Sequence, residues 1–248
     1  MISVQVGPTV ARRLFKRVQI VVLTPWIHSL RSKRTGLVAA LLLSLTACAG
    51  SVAPEIQRLP DRVELTAVPF FHGNVYESGP GALASMLTQQ HVQITPGLLA
   101  KPLKLPGAQV AIEQNMVSLA REYGFVVYPL DSELPALLAQ VSAGYPVMVR
   151  FSEGSAFWKE PRYGVLVGYN RVKQTVLLQA GMDRRLLMSF SSFTSAWKNA
   201  GGWAVLIQSP RQIPAQVDAQ RWLKAANDLA QAGQEQAAGE AVKALKAR

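Results

Sequence analysis

The sequence predicts an α+β protein in which helices come first and an antiparallel sheet follows. Residues 79–123 carry many of their apolar side chains at helical spacing. Residues 145–190 instead hold short apolar runs separated by turns, which is typical of successive antiparallel strands. Beyond residue 210 the composition shifts to Ala, Gln and Lys, which indicates further helices. Helices grouped before an antiparallel sheet define the α+β class.

The helical half opens with a helix for which Ser78 is the predicted N-cap and Pro80 lies in the first turn. Gly124 and Gly144 follow later apolar-periodic segments and are predicted to end two further helices. The predicted elements are helices over 79–90, 95–100, 108–123 and 131–144, and a strand over 125–130.

The second half is predicted to be mainly strands. They cover 145–151, 163–170, 175–180, 185–190 and 202–208, with a serine-capped helix over 191–201. The segment 169–174 is a predicted hairpin turn.

The last segment, 210–248, predicts a helical hairpin with its hinge at Gly233. Leu229, Gly233, Ala237 and Ala241 resemble one tetratricopeptide unit. A single such unit cannot bury its own apolar face, so a generic hairpin that packs on the main domain is the alternative. We therefore expect 1–47 as leader, 48–65 as tether, 66–209 as the main domain and 210–248 as the hairpin.

The charge distribution argues against a nucleic-acid-binding protein. The net charge is +11, from 26 basic and 15 acidic residues. Seven of the basic residues and none of the acidic ones fall in 1–47, which leaves 19 against 15 for the remainder. The remainder also lacks a Lys/Arg run with interleaved aromatic residues, so no nucleic-acid partner is expected.

The leader predicts secretion. A basic cluster precedes an apolar run over 37–45, which is too short for a bilayer span of about 20 residues. The following "LTAC" resembles the lipobox of bacterial lipoproteins, which implies cleavage before Cys48 and acylation there by fatty acids such as palmitate. Ala49 implies sorting to the outer membrane, with the protein facing the periplasm. The alternative is a buried Cys48 behind an uncleaved anchor.

Residues 1–30 place a second basic, amphipathic stretch before this signal. A start codon assigned too early would explain them, and a membrane-surface helix is the alternative. Cys48 is the only cysteine, so its acylation would leave the mature chain without a thiol for catalysis or for a disulfide.

Two separated motifs carry a family resemblance. Residues 68–84, "VPFFHGNVYESGPGALA", and residues 162–170, "RYGVLVGYN", resemble the papain-like peptidases that process bacteriocins with double-glycine leaders. The likeness extends over about 66–208 and is greatest to a lipoprotein branch in which a tetratricopeptide segment follows the peptidase domain. The resemblance implies a papain-like fold.

The same resemblance implies that every catalytic position has changed. The cysteine nucleophile corresponds to Ser78, and the histidine base corresponds to Arg162. His72 or Gly73 stands where the oxyanion glutamine is expected. The residue that would orient the base falls at Gln179 or Ala180, neither of which is Asp or Asn.

These changes have a chemical cost. A serine hydroxyl is far less acidic than a thiol and needs a base to remove its proton. Arg162 cannot be that base, because a guanidinium stays protonated and has no acceptor. Serine is also a preferred N-cap, so Ser78 needs no catalytic role to explain its presence. The sequence therefore favours a domain that is not an enzyme and leaves a hydrolase as the alternative.

Three functions remain open on the sequence. The first is a non-catalytic module that binds a peptide or protein in the envelope, with Arg162 holding a carboxylate. Ser78, Tyr76, Trp158 and Tyr163 are its candidate groove residues, together with Phe157, although the aromatic residues near the cleft strand are equally consistent with core packing. The second is a hydrolase that uses Ser78, and the third is an envelope scaffold that binds through its C-terminal helices.

The hydrolase alternative depends on a base for Ser78. His91 falls at the far end of the predicted helix, about 18 Å from its start, and is too distant. His72 is the remaining candidate. No His/Cys/Asp/Glu spacing fits a metal site and no glycine-rich phosphate loop occurs, so neither a metal nor another cofactor is expected.

Overall fold

A computed structural model describes residues 53–74, 76–105, 107, 111–154 and 159–248. The predicted leader and Cys48 lie outside these residues. The described chain confirms the α+β class, because helices pack on both faces of an antiparallel sheet.

The elements are numbered in chain order. The helices are α1 Pro54–Gln57, α2 Ser78–Gln89, α3 Pro96–Leu99, α4 Ile112–Glu122, α5 Leu134–Ser142, α6 Phe190–Asn199, α7 Ala219–Gln231 and α8 Glu235–Lys246. The strands are β1 Arg62–Glu64, β2 Val126–Pro129, β3 Val147–Gly154, β4 Lys159–Asn170, β5 Thr175–Ala180, β6 Asp183–Ser189 and β7 Ala204–Gln208.

The sheet of the described region has seven strands in the order β2-β7-β3-β4-β5-β6, and β1 pairs with the end of β4. All the pairings are antiparallel. β4 is the central and longest strand, and its first half pairs with β3 while its second half pairs with β1.

Alternation along the strands divides the core between the two faces of the sheet. On β4, Val165 and Val167 pack into a cluster with the buried residues of α2 and α4, whereas Leu166 packs with those of α5 and α6. This follows from the two-residue period of a strand, which turns successive side chains to opposite faces. The short apolar run that predicted β4 is therefore buried on both sides.

The predicted tether is part of the fold from residue 53 onward. Ile56 is only 4% exposed and belongs to the core, and Arg62–Glu64 forms β1 against β4. Gly168 permits this close approach, since a Cβ there would lie 2.7 Å from the Val63 carbonyl oxygen. Residues 53–65, which were expected to form part of a tether, thus pack on the domain, because a polar, proline-containing sequence can still supply one apolar anchor and one edge strand.

The C-terminal hairpin packs on the main domain. Trp222, Leu229 and Ala241 are buried in the same core cluster as strands β2 and β7. The Trp222 indole N–H also donates to the Ala241 carbonyl at 2.8 Å, which joins α7 to α8. Gly233 has a φ of +82° between the two helices, as its predicted position at the hinge requires. The hairpin thus buries its apolar face on this domain.

The largest correction to a predicted element concerns α2. Ser78 is its first helical residue, and Glu77 is the N-cap. The Ser78 hydroxyl therefore does not cap the helix, contrary to the prediction. The difference matters because it leaves the Ser78 side chain available for a contact with the sheet.

Candidate functional site

The start of α2 is fixed by a reciprocal pair of hydrogen bonds. The Glu77 N–H donates to Asn74 Oδ1 at 3.1 Å, and the Asn74 N–H donates to Glu77 Oε2 at 3.0 Å. Asn and Glu three residues apart make the bonds of a capping box, displaced by one turn before the helix. Gly73 fits beneath this pair, because a Cβ there would lie 2.8 Å from Glu77 Cβ.

Ser78 is buried against the central strand of the sheet. Ser78 is only 5% exposed. Its Oγ accepts a hydrogen bond of 3.3 Å from the backbone N–H of Tyr163 on β4. An amide N–H is a donor and cannot take a proton. The contact places Ser78 beside Tyr163, the residue that follows Arg162 and is 85 positions from Ser78 in sequence.

The pocket at Ser78 is small. It holds about 10 Å³, which is close to the room needed by one water molecule. Ser78, Ser85, Tyr163 and Gln179 are the polar side chains of its described lining, and the others are Phe, Gly or Ala. This described lining includes no imidazole, carboxylate or amine. None of its groups is an effective base at neutral pH.

Arg162 and His72 stand outside this lining. Arg162 is half-buried, and its Nη1 lies 2.9 Å from the position that a Cβ would take on Gly181. Since Gly181 is part of the pocket wall, the guanidinium lies at the rim. His72 is exposed on the segment before α2. The structure therefore brings Arg162 near Ser78 but does not bring His72 into the pocket.

Gln179 also lines this pocket. It is 7% exposed, and its Nε2 donates to the Val68 carbonyl at 3.1 Å. Its Oε1 is buried and has no hydrogen-bond partner among the described residues. An amide can orient an imidazole, but the described lining of this pocket holds no imidazole, so Gln179 has no base to orient there.

A polar cluster supports Tyr163 from the other side. The Tyr163 hydroxyl donates to Glu113 Oε1 at 3.1 Å, and Arg150 Nη1 donates to the same oxygen at 2.6 Å. Burial, and then the Glu113 charge, raises the pKa of Tyr163 above its usual range. The bond to Glu113 likewise raises the pKa of Arg150. Trp203 meets the Tyr163 ring edge to face at 5.8 Å.

Little in the sequence indicates this cluster. Glu113 and Arg150 lie on α4 and β3, 37 positions apart, and no spacing rule joins a helix residue to a strand residue at that distance. By contrast, Asn74 and Glu77 carry a local signature that sequence reasoning could have found.

The remaining candidate groove residues are dispersed. Tyr76 is 71% exposed and does not line the pocket at Ser78. Tyr163 is buried and held in the polar cluster. Trp158 and Phe157 lie outside the described residues, as does Cys48.

The described residues lack two further features. They contain no group of three or more His, Cys, Asp or Glu side chains arranged to hold a metal ion. Among the helices they form, none is both long and apolar enough to cross a membrane.

No family model matches the chain, and no curated protein matches it. Solved structures do resemble it. A C39-like peptidase from Bacillus anthracis is 16% identical with a TM-score of 0.48, over 60% of this chain and 98% of the other. The peptidase domain of Streptococcus ComA, a bifunctional ABC transporter, is 20% identical with a TM-score of 0.42, over 56% and 95%. Xylellain, a cysteine protease from Xylella fastidiosa, is 11% identical with a TM-score of 0.45, over 63% and 89%.

Proposed function

We propose that this chain is a peptidase-like domain that binds a peptide or protein and does not cleave it. One observation carries the proposal: the Ser78 hydroxyl meets a backbone N–H donor in a pocket whose described lining offers no base. Without a base, the serine hydroxyl stays protonated and is a poor nucleophile. Loss of the base together with its orienting group lowers a hydrolytic rate by several orders of magnitude.

Labelling with a fluorophosphonate tests the absence of an activated serine. We expect no stoichiometric adduct on Ser78 at neutral pH in the wild-type protein. Ser78→Ala and His72→Ala should then show the same background labelling. A stoichiometric adduct that disappears in Ser78→Ala would overturn the proposal, and its loss in His72→Ala would identify His72 as the base.

Arg162 supplies the chemistry of the proposed binding role. A guanidinium at the rim of a closed pocket offers a planar, bidentate partner to a carboxylate that approaches from outside. The pocket itself admits about one water molecule, so a ligand would lie across its mouth. The proposed ligand is therefore a peptide recognised through a carboxylate at the Arg162 rim.

Fluorescence polarisation with paired peptides tests this role. A peptide set with free C-terminal carboxylates is compared with the same peptides amidated, on wild type, Arg162→Ala and Arg184→Ala. Arg184 is an exposed arginine on the β6 edge and is the matched control. On the wild type, we expect amidation to weaken binding about tenfold. Arg162→Ala should bind the free carboxylates about tenfold more weakly than the wild type does, whereas Arg184→Ala should bind them equally well. Equal affinities across these pairs would contradict the role of Arg162.

We further propose that Cys48 carries a lipid that anchors the domain to the periplasmic face of the bacterial outer membrane. The lipobox-like "LTAC" sequence supports this proposal. Labelled palmitate should enter the wild-type protein and not Cys48→Ser, which should also leave the membrane fraction. Equal labelling of both proteins would exclude acylation at Cys48.

A further inference from the structure

A second cavity, of about 590 Å³, opens at the C-terminal end of α2. It lies at the opposite end of this helix from Ser78, and a helix of 12 residues is about 18 Å long. Its volume falls within the range of about 300–1,000 Å³ that is usual for small-molecule sites. It thus has room for a ligand that the pocket at Ser78 cannot admit.

The lining of this cavity is polar but almost free of charge. Its hydrogen-bonding side chains are those of Thr88, Gln89, Gln90, His91, Tyr145, Ser209 and Gln212. The described lining includes no lysine, arginine or carboxylate. Amide and hydroxyl groups both donate and accept hydrogen bonds, so the wall can match ligand hydroxyls in either sense.

Two half-buried aromatic residues complete the wall. Phe125 lies just before β2, and Tyr145 lies just before β3. Aromatic rings provide flat apolar area at a low cost in side-chain entropy. A ligand with one apolar face and polar edges would satisfy both parts of the lining.

Three helices end at the cavity. The C-terminal ends of α2, α4 and α5 precede lining residues His91, Phe125 and Gly144, respectively. The C-terminal end of a helix carries partial negative charge. Because no described lysine or arginine in the lining offsets these ends, the site disfavours an anionic ligand.

His91 is held in an unusual backbone conformation at the rim of the cavity. Its φ is +68°, in the left-handed region where glycine is usual after a helix. Its N–H donates to the Thr88 carbonyl at 2.9 Å, and the Val92 N–H donates to the Leu87 carbonyl at 3.1 Å. These bonds fix His91 at the end of α2, where it lines the cavity.

One wall of the cavity includes Gln90, whose side chain makes two hydrogen bonds. Gln90 Nε2 donates to the Ile207 carbonyl at 3.2 Å and to Gln212 Oε1 at 3.4 Å. These bonds tie the end of α2 to the segment that follows β7. The cavity therefore has a wall that is ordered before any ligand arrives, which lowers the entropic cost of binding.

We propose that this cavity binds an uncharged saccharide. The hydroxyl groups of a sugar ring donate and accept as the amides do, and the apolar face of the ring can lie on Tyr145 or Phe125. The helix ends predict selection against sugar acids. This proposal does not depend on the peptide-binding role of the Ser78 and Arg162 region, which is at the other end of α2.

Calorimetric titration of the full-length protein tests the proposal. The neutral probes are maltotriose and the β-1,4-linked trimer of N-acetylglucosamine, and the anionic probe is trigalacturonate, which shares the α-1,4 linkage of maltotriose. We expect at least one neutral trimer to bind and trigalacturonate to bind about tenfold more weakly or not at all. Tyr145→Ala should weaken neutral binding about tenfold, and Gln89→Ala about threefold.

Tyr76→Ala is the matched control, because it removes an exposed tyrosine near the opposite end of α2. It should leave the affinity unchanged. Circular dichroism confirms that each variant is folded, and Tyr145→Phe keeps the ring if Tyr145→Ala fails to fold. The proposal is overturned if neither neutral trimer binds at about 10 mM, if trigalacturonate binds as tightly as maltotriose, or if Tyr76→Ala weakens binding as much as the Tyr145 variant.

Discussion

The two ends of helix α2 differ in the room that they leave for a ligand. At its N-terminal end Ser78 is packed against β4, and about 10 Å³ remains. At its C-terminal end the chain leaves about 590 Å³. The larger of these two volumes therefore lies away from Ser78, which belongs to the peptidase-like motif. The position of the motif and the position of the larger cavity are therefore different in this chain.

The packing difference has a cause in the neighbouring side chains. Gly79 and the start of α2 lie against Met116, Ile112 and the Tyr163 ring, at 3.3 to 3.5 Å from where a Cβ would stand. At the other end, α2 finishes with half-buried or exposed polar residues from Thr88 to His91. The closed end is thus made by apolar contact, and the open end by polar groups that do not fill space.

The largest expected effect is a difference in stability between two variants, each of which places leucine at one end of α2. Ser78→Leu should lower the free energy of unfolding by about 1–3 kcal/mol, because the pocket cannot hold the added carbons. Gln89→Leu should change it by less than about 0.5 kcal/mol, because this position borders open space. Urea unfolding of both variants measures the difference. Equal destabilisation would remove the contrast between the two ends.

A smaller loss of stability should appear at alkaline pH, and it concerns Tyr163 at the closed end of α2. The folded state raises the pKa of Tyr163, chiefly by burial, so it holds the phenol proton more tightly than the unfolded chain does. The contribution of Tyr163 to stability is therefore full below about pH 10 and is lost as the pH rises above it. At pH 10.5 the loss is up to about 0.8 kcal/mol.

Urea unfolding at pH 8 and at pH 10.5 measures this loss. Tyr163→Phe has no phenol to ionise, so its stability should fall less between the two pH values than that of the wild type. Tyr76→Phe, at an exposed position, is the control and should follow the wild type. A wild-type fall that matches that of Tyr163→Phe would show that the Tyr163 hydroxyl is not desolvated.

The smallest expected effect is a gain at the open end. His91→Gly should raise the free energy of unfolding by about 0.5 kcal/mol or less, because the relief of the left-handed backbone at φ +68° is largely offset by the greater entropy that glycine loses on folding. The same variant should weaken binding of a neutral trisaccharide if the imidazole contacts it. Thermal unfolding and calorimetry measure the two effects. A loss of stability would show that the imidazole makes contacts that outweigh the backbone strain.

Local patterns in the sequence were enough to predict most of the elements. Apolar periodicity predicted α4 and α5, and the glycines at 124 and 144 predicted where they end, with φ of +84° and +91°. The short apolar runs likewise predicted strands β3 to β7. These signals are local because helix and strand periods, and the left-handed conformation of glycine, are properties of a few neighbouring residues.

The prediction failed where contacts over long separations decided the outcome. The segment 53–65 has weak local signals, and only its pairing with Gly168–Asn170 makes Arg62–Glu64 a strand. Ser78 matched the N-cap pattern, yet the N–H of Tyr163 binds its hydroxyl and Glu77 takes the cap. A preference worth about one kcal/mol is easily overridden by the packing of a helix against a sheet.

The sequence by itself determined the class of fold, the single cysteine in a lipobox-like setting, and the presence of Ser78 and Arg162 in the two motifs that resemble a peptidase. Each of these depends on residue identity or on local spacing. Only the tertiary structure decided that the Ser78 end is closed, that Glu113 and Arg150 hold Tyr163, and that a polar cavity opens beside His91. The reason is physical: a cavity is space left between segments distant in the chain, and no single segment encodes its volume.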